Sequence, residues 1–191
     1  MLIYVHGLNS SPASFKANLL KRRLESMGRG AEFLAPALPD RPHAAAALLE
    51  EKVASHPAAA LVGSSLGGFY ATWLAERHGL KAVLVNPAVR PYEGLRQLLG
   101  VQQNLYTGAR YELTQAHLDE LAALEVPAIT RPERYLLMVE TGDEVLDYRQ
   151  AVKRYHGCRQ MVIEGGDHAF RDFGEYLDAA LEFCGVSELN R

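Results

Sequence analysis

Short apolar runs recur along this chain, each separated from the next by a longer stretch with helical spacing, and this alternation constrains the fold more than any other feature. Candidate strands lie at residues 2–5, 31–35, 59–63, 82–85, 135–140 and 160–163. A strand with one wet face would alternate apolar and polar residues. These runs do not alternate, so helices must cover both faces of the sheet. The expectation is an α/β fold, a mostly parallel sheet of about six strands flanked by helices.

The intervening stretches agree. Phe15, Leu19, Leu20, Leu24 and Met27 fall at helical spacing, and Gly28 follows as a C-terminal cap. Residues 44–56 read as a second helix closed by Pro57, and residues 66–78 as a third closed by Gly79. After the fourth strand the rhythm breaks: residues 86–130 are too many for one βα connection. They read as a small helical insertion over one end of the sheet, built on 92–99 and 114–124, with two readings open, a lid or a surface decoration.

At 191 residues the chain suits one domain, 1–191, of a size that buries roughly 70% of the surface its unfolded chain exposes. No disulfide or structural metal is needed for stability. Cys158 and Cys184 lack the paired spacing of a zinc or redox site, so the expectation is a reducing compartment, the cytoplasm, and no metal. The N-terminal run meets His6-Gly7 at once and lacks the parts of a signal peptide, and no apolar run approaches the 18 or so residues of a membrane span. A net charge of −3 gives no basic surface for nucleic acid or anionic membrane. The expected partner is a neutral, polar or modestly apolar small molecule; a homo-oligomer stays open.

Gly63-Ser64-Ser65-Leu66-Gly67 matches G-x-S-x-G and stands after an apolar strand and before a helix, where a nucleophilic serine belongs. The glycines answer crowding: the serine occupies a strained strand-to-helix turn, and side chains two residues to either side would collide with it. This selects Ser65 over Ser64, whose corresponding neighbours are Val62 and Leu66. By composition alone the pattern arises in about one chain of this length in fifteen, so further parts must be found. Nucleotide motifs are excluded, because a dinucleotide fingerprint needs glycine at Ser65 and a P-loop needs lysine at Phe69.

A serine hydroxyl needs a general base, and that base needs a carboxylate to hold its tautomer. His168, in the glycine-containing loop after the last strand, is the candidate base. Asp143, just after the preceding strand, is the preferred acid over Asp147 and Asp167, although an N-cap role would also suit it. The developing oxyanion needs two amide donors. Leu66, after the nucleophile, and Leu8, in the loop after the first strand, are the natural pair. His6 reads as an anchor for that loop. Asn9 is a candidate for contact with substrate, with capping of the helix that starts near Ser14 as its alternative, and Arg90 for contact with an anionic group, with a surface ion pair as its alternative.

In this order, His6-Gly7, Gly63 to Gly67, Gly142-Asp143 and Asp167-His168 resemble the α/β-hydrolase superfamily. More narrowly, His6-Gly7-Leu8-Asn9-Ser10-Ser11-Pro12, Asn86-Pro87-Ala88-Val89-Arg90-Pro91, Tyr106-Thr107-Gly108 and Glu164-Gly165-Gly166-Asp167-His168-Ala169-Phe170 look like the YqiA-type small bacterial esterases, and such blocks run the length of the chain. The resemblance implies a compact α/β-hydrolase fold that begins at the strand before the oxyanion loop. It also implies esterase activity without a cofactor, with nucleophile, acid and base carried onto Ser65, Asp143 and His168. One departure is Leu8, where an aromatic often follows His-Gly. The expected activity is hydrolysis of a carboxylic ester or acyl thioester. The alternatives are a non-catalytic binding module on the same fold, or lyase or perhydrolase chemistry on the same triad.

Overall fold

The computed structural model describes residues 1–186; residues 187–191 of the expected domain lie outside the described residues. Six strands form one parallel sheet: β1 (Leu2–Val5), β2 (Phe33–Leu34), β3 (Ala60–Ser64), β4 (Lys81–Val85), β7 (Tyr135–Glu140) and β8 (Arg159–Ile163). Their spatial order is β2-β1-β3-β4-β7-β8. The chain leaves β1 for β2 on one side and returns to β3 on the other. The loops after β1 and β3 therefore diverge, and a crevice opens at the carboxyl ends of those two strands.

Alternate residues of each strand feed two cores. Ile3, Val5, Leu61, Leu84, Leu137 and Val139 face one side, where α2 (Pro42–Ala54), α3 (Leu66–His78) and α6 (Tyr148–Arg154) pack. Leu2, Tyr4, Val62, Val83, Val85 and Met138 face the other, under α1 (Phe15–Ser26) and α7 (Phe173–Phe183). Most of these side chains are wholly buried, and each contributes about 1.5–3 kcal/mol relative to exposure. The uninterrupted apolar runs of the sequence thus reflect a sheet with no wet face. Gly28 and Gly79 end their helices with φ of 70°, as their positions suggested. Helix α2 starts two residues earlier than expected, at Pro42, whose missing N–H costs nothing in a first turn.

The insertion is helical only in part. A short helix, α4 (Pro91–Gly94), continues into a 3₁₀ turn at Leu95–Leu98, and α5 (Gln115–Ala123) closes the segment. Between them runs an antiparallel hairpin, β5 (Gly100–Gln103) with β6 (Arg110–Leu113). Its loop is nucleated by Asn104, whose Oδ1 accepts the Tyr106 and Thr107 amides at 2.9 Å. Among the described residues, no helix is long and apolar enough to cross a membrane.

Candidate active site

Ser65 stands between the last residue of β3 and the first of α3, with φ 55° and ψ −122°. A non-glycine residue rarely occupies this region, and the surroundings must hold it there. They do so by close approach: a Cβ on Gly67 would overlap the Val5 carbonyl, and one on Gly63 would overlap the Gly67 carbonyl. The turn is also pinned to the end of β4, since the Ser65 amide donates to Val85 O at 3.0 Å and the Ala88 amide donates to Ser65 O at 3.0 Å. Ser64 is buried.

His168 and Asp143 come from the loops after β8 and β7. Ser65 Oγ lies 3.0 Å from His168 Nε2, and His168 Nδ1 lies 2.8 and 3.0 Å from the two Asp143 carboxyl oxygens. With Nδ1–H donating to the carboxylate, Nε2 is left to accept the serine proton. The Asp143 side chain is only 2% exposed, and its Oδ1 also accepts the Val145 and Leu146 amides at 2.9 and 2.8 Å. Burial pushes this carboxyl up, but the His168 ring and those amides outweigh it and hold it below its ordinary value. Asp147 has the capping role that was open for Asp143: it begins α6 and accepts the Arg149 amide at 3.1 Å. Asp167 pairs with Arg171 at 3.0 Å.

The backbone around His168 is gripped by side chains that sequence reasoning did not single out. Asn86 Nδ2 donates to the Asp167 and His168 carbonyls at 3.1 and 3.3 Å, while its Oδ1 accepts the Glu140 amide. Glu140, 1% exposed, accepts the Asp167 amide at 2.8 Å, and Glu144 accepts the His168 amide at 2.9 Å. Lys16, reaching across from α1, donates to the Ala169 carbonyl. Burial pushes Glu140 up, with nearby acids adding to the shift, and burial brings Lys16 down to about 8 against the pull of Asp167 and Glu140. Glu140 left a trace in the sequence, as a lone carboxylate ending an apolar strand. Lys16 left none. Phe170, at φ 52°, is fully buried and packs edge-to-face on Phe173 and Tyr176. The non-glycine residues at positive φ among those described are Asn9, Ser65, Asn86, Arg90 and Phe170, and all lie in loops at this end of the sheet.

The loop after β1 approaches from the other side. Gly7 lies so close that a Cβ there would stand 3.1 Å from that of Ser65. Leu66 opens α3, where a first-turn amide has no partner within the helix. His6 anchors the loop, as expected: its Nδ1–H donates to Gly7 O at 3.0 Å and its Nε2 accepts the Leu38 amide at 3.2 Å. Accepting at Nε2 requires a neutral ring, and burial holds its pKa below the ordinary value.

The two expected substrate contacts are otherwise engaged. Asn9 bonds the insertion hairpin, with Nδ2 donating to Gln102 and Oδ1 accepting from Tyr111. The Arg90 guanidinium meets Glu93 at 2.9 Å, Glu125 at 3.6 Å and the Tyr92 hydroxyl at 2.8 Å, so its charge is already answered by carboxylates.

Two open clefts meet at Ser65 and His168. One, of about 380 Å³, is lined by Leu8, Leu95, Leu98 and Val145 together with the polar side chains of Arg90, Glu93 and Gln150. The other, of about 590 Å³, carries Tyr4, Ser14, Lys16 and Arg171 beside Phe15 and Tyr106. Among the described residues no cluster of three or more His, Cys, Asp or Glu side chains could hold a metal ion.

Known proteins share this architecture. A protein of Agrobacterium vitis S4 provisionally called a hydrolase superposes with a TM-score of 0.76 at 17% identity, covering 96% of this chain and 87% of its own. Est1E from Butyrivibrio proteoclasticus gives 0.68 at 16% identity, over 95% of this chain and 85% of its own. The monoacylglycerol lipase of Paleococcus ferrophilus gives 0.64 at 16% identity, over 97% and 94%. At such identities the likeness is one of fold, and the fold is that of the α/β hydrolases. The family resemblance seen in the sequence blocks has its counterpart in a match over residues 1–185, by which the chain belongs to the uncharacterised protein family UPF0227.

Proposed function

We propose that the protein is a serine hydrolase that cleaves carboxylic esters or acyl thioesters. The observation that carries this reading is the unbroken hydrogen-bonded line from Ser65 through His168 to Asp143, with Ser65 held in a strained turn at the meeting point of two clefts. Ser65 Oγ attacks the carbonyl carbon while His168 Nε2 takes its proton. The amides of Leu8 and Leu66 hold the oxyanion. As the tetrahedral species collapses, His168 returns the proton to the leaving oxygen or sulfur, and an acyl group remains on Ser65. Water, deprotonated by the same imidazole, then releases the acid. Asp143 stays ionised throughout and stabilises the imidazolium. No metal or organic cofactor takes part. The esterase and lipase names among the structural relatives support this reading.

Both clefts are lined mainly by apolar surface, which suits the acyl chain of an ester or thioester. We place the protein in the cytoplasm, where Cys158 and Cys184 remain free thiols. The test is hydrolysis of nitrophenyl esters and acyl-coenzyme A thioesters of graded chain length by the wild type and by Ser65→Ala, with active-site titration. Loss of turnover and of titratable sites in the variant is the expected result. Undiminished hydrolysis by the variant would overturn the mechanism.

A further inference from the structure

The insertion is fastened to the loop that carries Leu8. Leu105 N donates to Asn9 O at 2.9 Å, and Asn104 Nδ2 donates to Ser10 O at 2.8 Å. Asn9 Nδ2 donates to Gln102 Oε1 at 3.2 Å, and the Tyr111 hydroxyl donates to Asn9 Oδ1 at 2.9 Å. These bonds join segments about 90 to 100 residues apart in sequence, and both polar ends of the Asn9 side chain are used. Asn9 itself sits at φ 55°, a conformation asparagine tolerates better than most residues.

This linkage bears on the residue before it. The turn containing Leu8 is held on its N-terminal side by the His6 ring, which ties Gly7 O to the Leu38 amide. On its C-terminal side the hold comes from Asn9 and the hairpin. An amide that stabilises an oxyanion must be fixed before the charge develops, because its value lies in needing no reorganisation. We propose that Asn9 is a positioning residue for the Leu8 amide, and that the hairpin β5–β6 is a brace for the oxyanion hole rather than a swinging lid. The inference rests on the hydrolase reading and adds a role for the insertion.

Removing an oxyanion donor outright costs about 10²–10³ in kcat, and loosening one costs less. Loss of the Asn9 side chain should therefore lower kcat about tenfold or more and leave KM within about twofold. Asn9→Gly keeps the left-handed backbone available while deleting both side-chain bonds, and Tyr111→Phe deletes one hydroxyl with little risk to folding. Both variants are compared with the wild type and Ser65→Ala in kcat and KM on one nitrophenyl ester. The inhibition constant of a trifluoromethyl ketone, which forms a tetrahedral oxyanion on the serine, is compared with that of the matching methyl ketone, which binds without gaining that charge.

The expected result is a fall in kcat and a parallel weakening of the trifluoromethyl ketone in both variants, larger for Asn9→Gly, with the methyl ketone unchanged. Wild-type kcat and inhibition in both variants, with Ser65→Ala inactive, would overturn the brace and leave the hydrolase intact. An unchanged kcat with a raised KM would also overturn it, since Asn9 would then touch the bound substrate. Persistent turnover by Ser65→Ala would instead strike at the hydrolase reading itself.

Discussion

The Glu140 carboxyl group fills the space that a Cβ at Gly166 would take. Gly166 lies at φ +73°, two residues before His168, and Glu140 in turn accepts the amide of Asp167. The histidine loop thus passes directly over a buried carboxylate, and it can do so only because residue 166 has no side chain. Gly166→Ala adds about 1–2 kcal/mol of backbone strain. Pushing Glu140 aside also breaks its bond to Asp167, about 1 kcal/mol more. A fall in Tm on the order of 5–10 °C is expected for a chain of this size, together with a lower kcat, since the displaced segment carries His168, the base of the proposed mechanism. Thermal unfolding and ester turnover measured on the same sample check it. A variant that melts with the wild type would show that the loop has slack.

Glu140 should make stability fall as the pH rises. Burial raises its pKa in the folded protein, so above the ordinary glutamate value, about 4, the unfolded chain releases its proton first and folding then costs protonation or a buried charge. The contribution is favourable below that value and is lost as the pH climbs through the raised one. Glu140→Gln keeps an oxygen to accept the Asp167 amide and carries no charge. The Tm difference between variant and wild type should therefore move in the variant's favour as the pH rises from about 4 upward. A pH-independent difference would sink this account of Glu140.

Such residues mark where the sequence stops being informative. The central strands were legible because a parallel sheet covered on both faces leaves runs such as Tyr135–Glu140 with no polar alternation. The edge strand was read too long: Ala31 and Glu32 belong to a 3₁₀ turn, and only Phe33 and Leu34 pair with β1. The hairpin escaped notice because Gly100–Gln103 and Arg110–Leu113 are short and half-exposed, and much of its attachment to the body runs through hydrogen bonds to Asn9 and Ser10. Ser65 and His168 were legible from a motif and from loop position. Asn86 and Lys16 were not, and Glu140 showed only as a carboxylate ending an apolar strand, because each grips backbone 25 or more residues away in the chain, and no local pattern encodes such a partner.

Lys16 should act on stability with the opposite slope. Its amine is held at about 8 by burial, against an ordinary value near 10.4. Between those values the unfolded chain holds a proton that the folded chain has released, so this group adds stability as the pH rises across the window. Lys16→Met preserves most of the apolar stem and removes the titration. The Tm of the wild type relative to the variant should therefore increase between about pH 8 and pH 10. A flat or falling difference over that range would mean that Lys16 stays charged when folded.

Asp143→Asn should be far more damaging to catalysis than its size suggests, and the geometry says why. Oδ1 of Asp143 is fixed by the Val145 and Leu146 amides at 2.9 and 2.8 Å, so an asparagine oxygen would remain there and turn its NH₂ toward His168 Nδ1. The ring would then accept at Nδ1 and carry its proton on Nε2, where it could not take the proton of Ser65 Oγ, 3.0 Å away. A fall in kcat of about 10³–10⁴ is expected, with KM nearly unchanged, because the pocket is untouched. Asp147→Asn is the matched control: that residue caps α6 and has no bond to His168, and asparagine caps as well as aspartate. Wild-type turnover is expected there. A loss confined to the residue 147 variant would place the acid at Asp147, and a loss confined to the residue 143 variant would place it at Asp143.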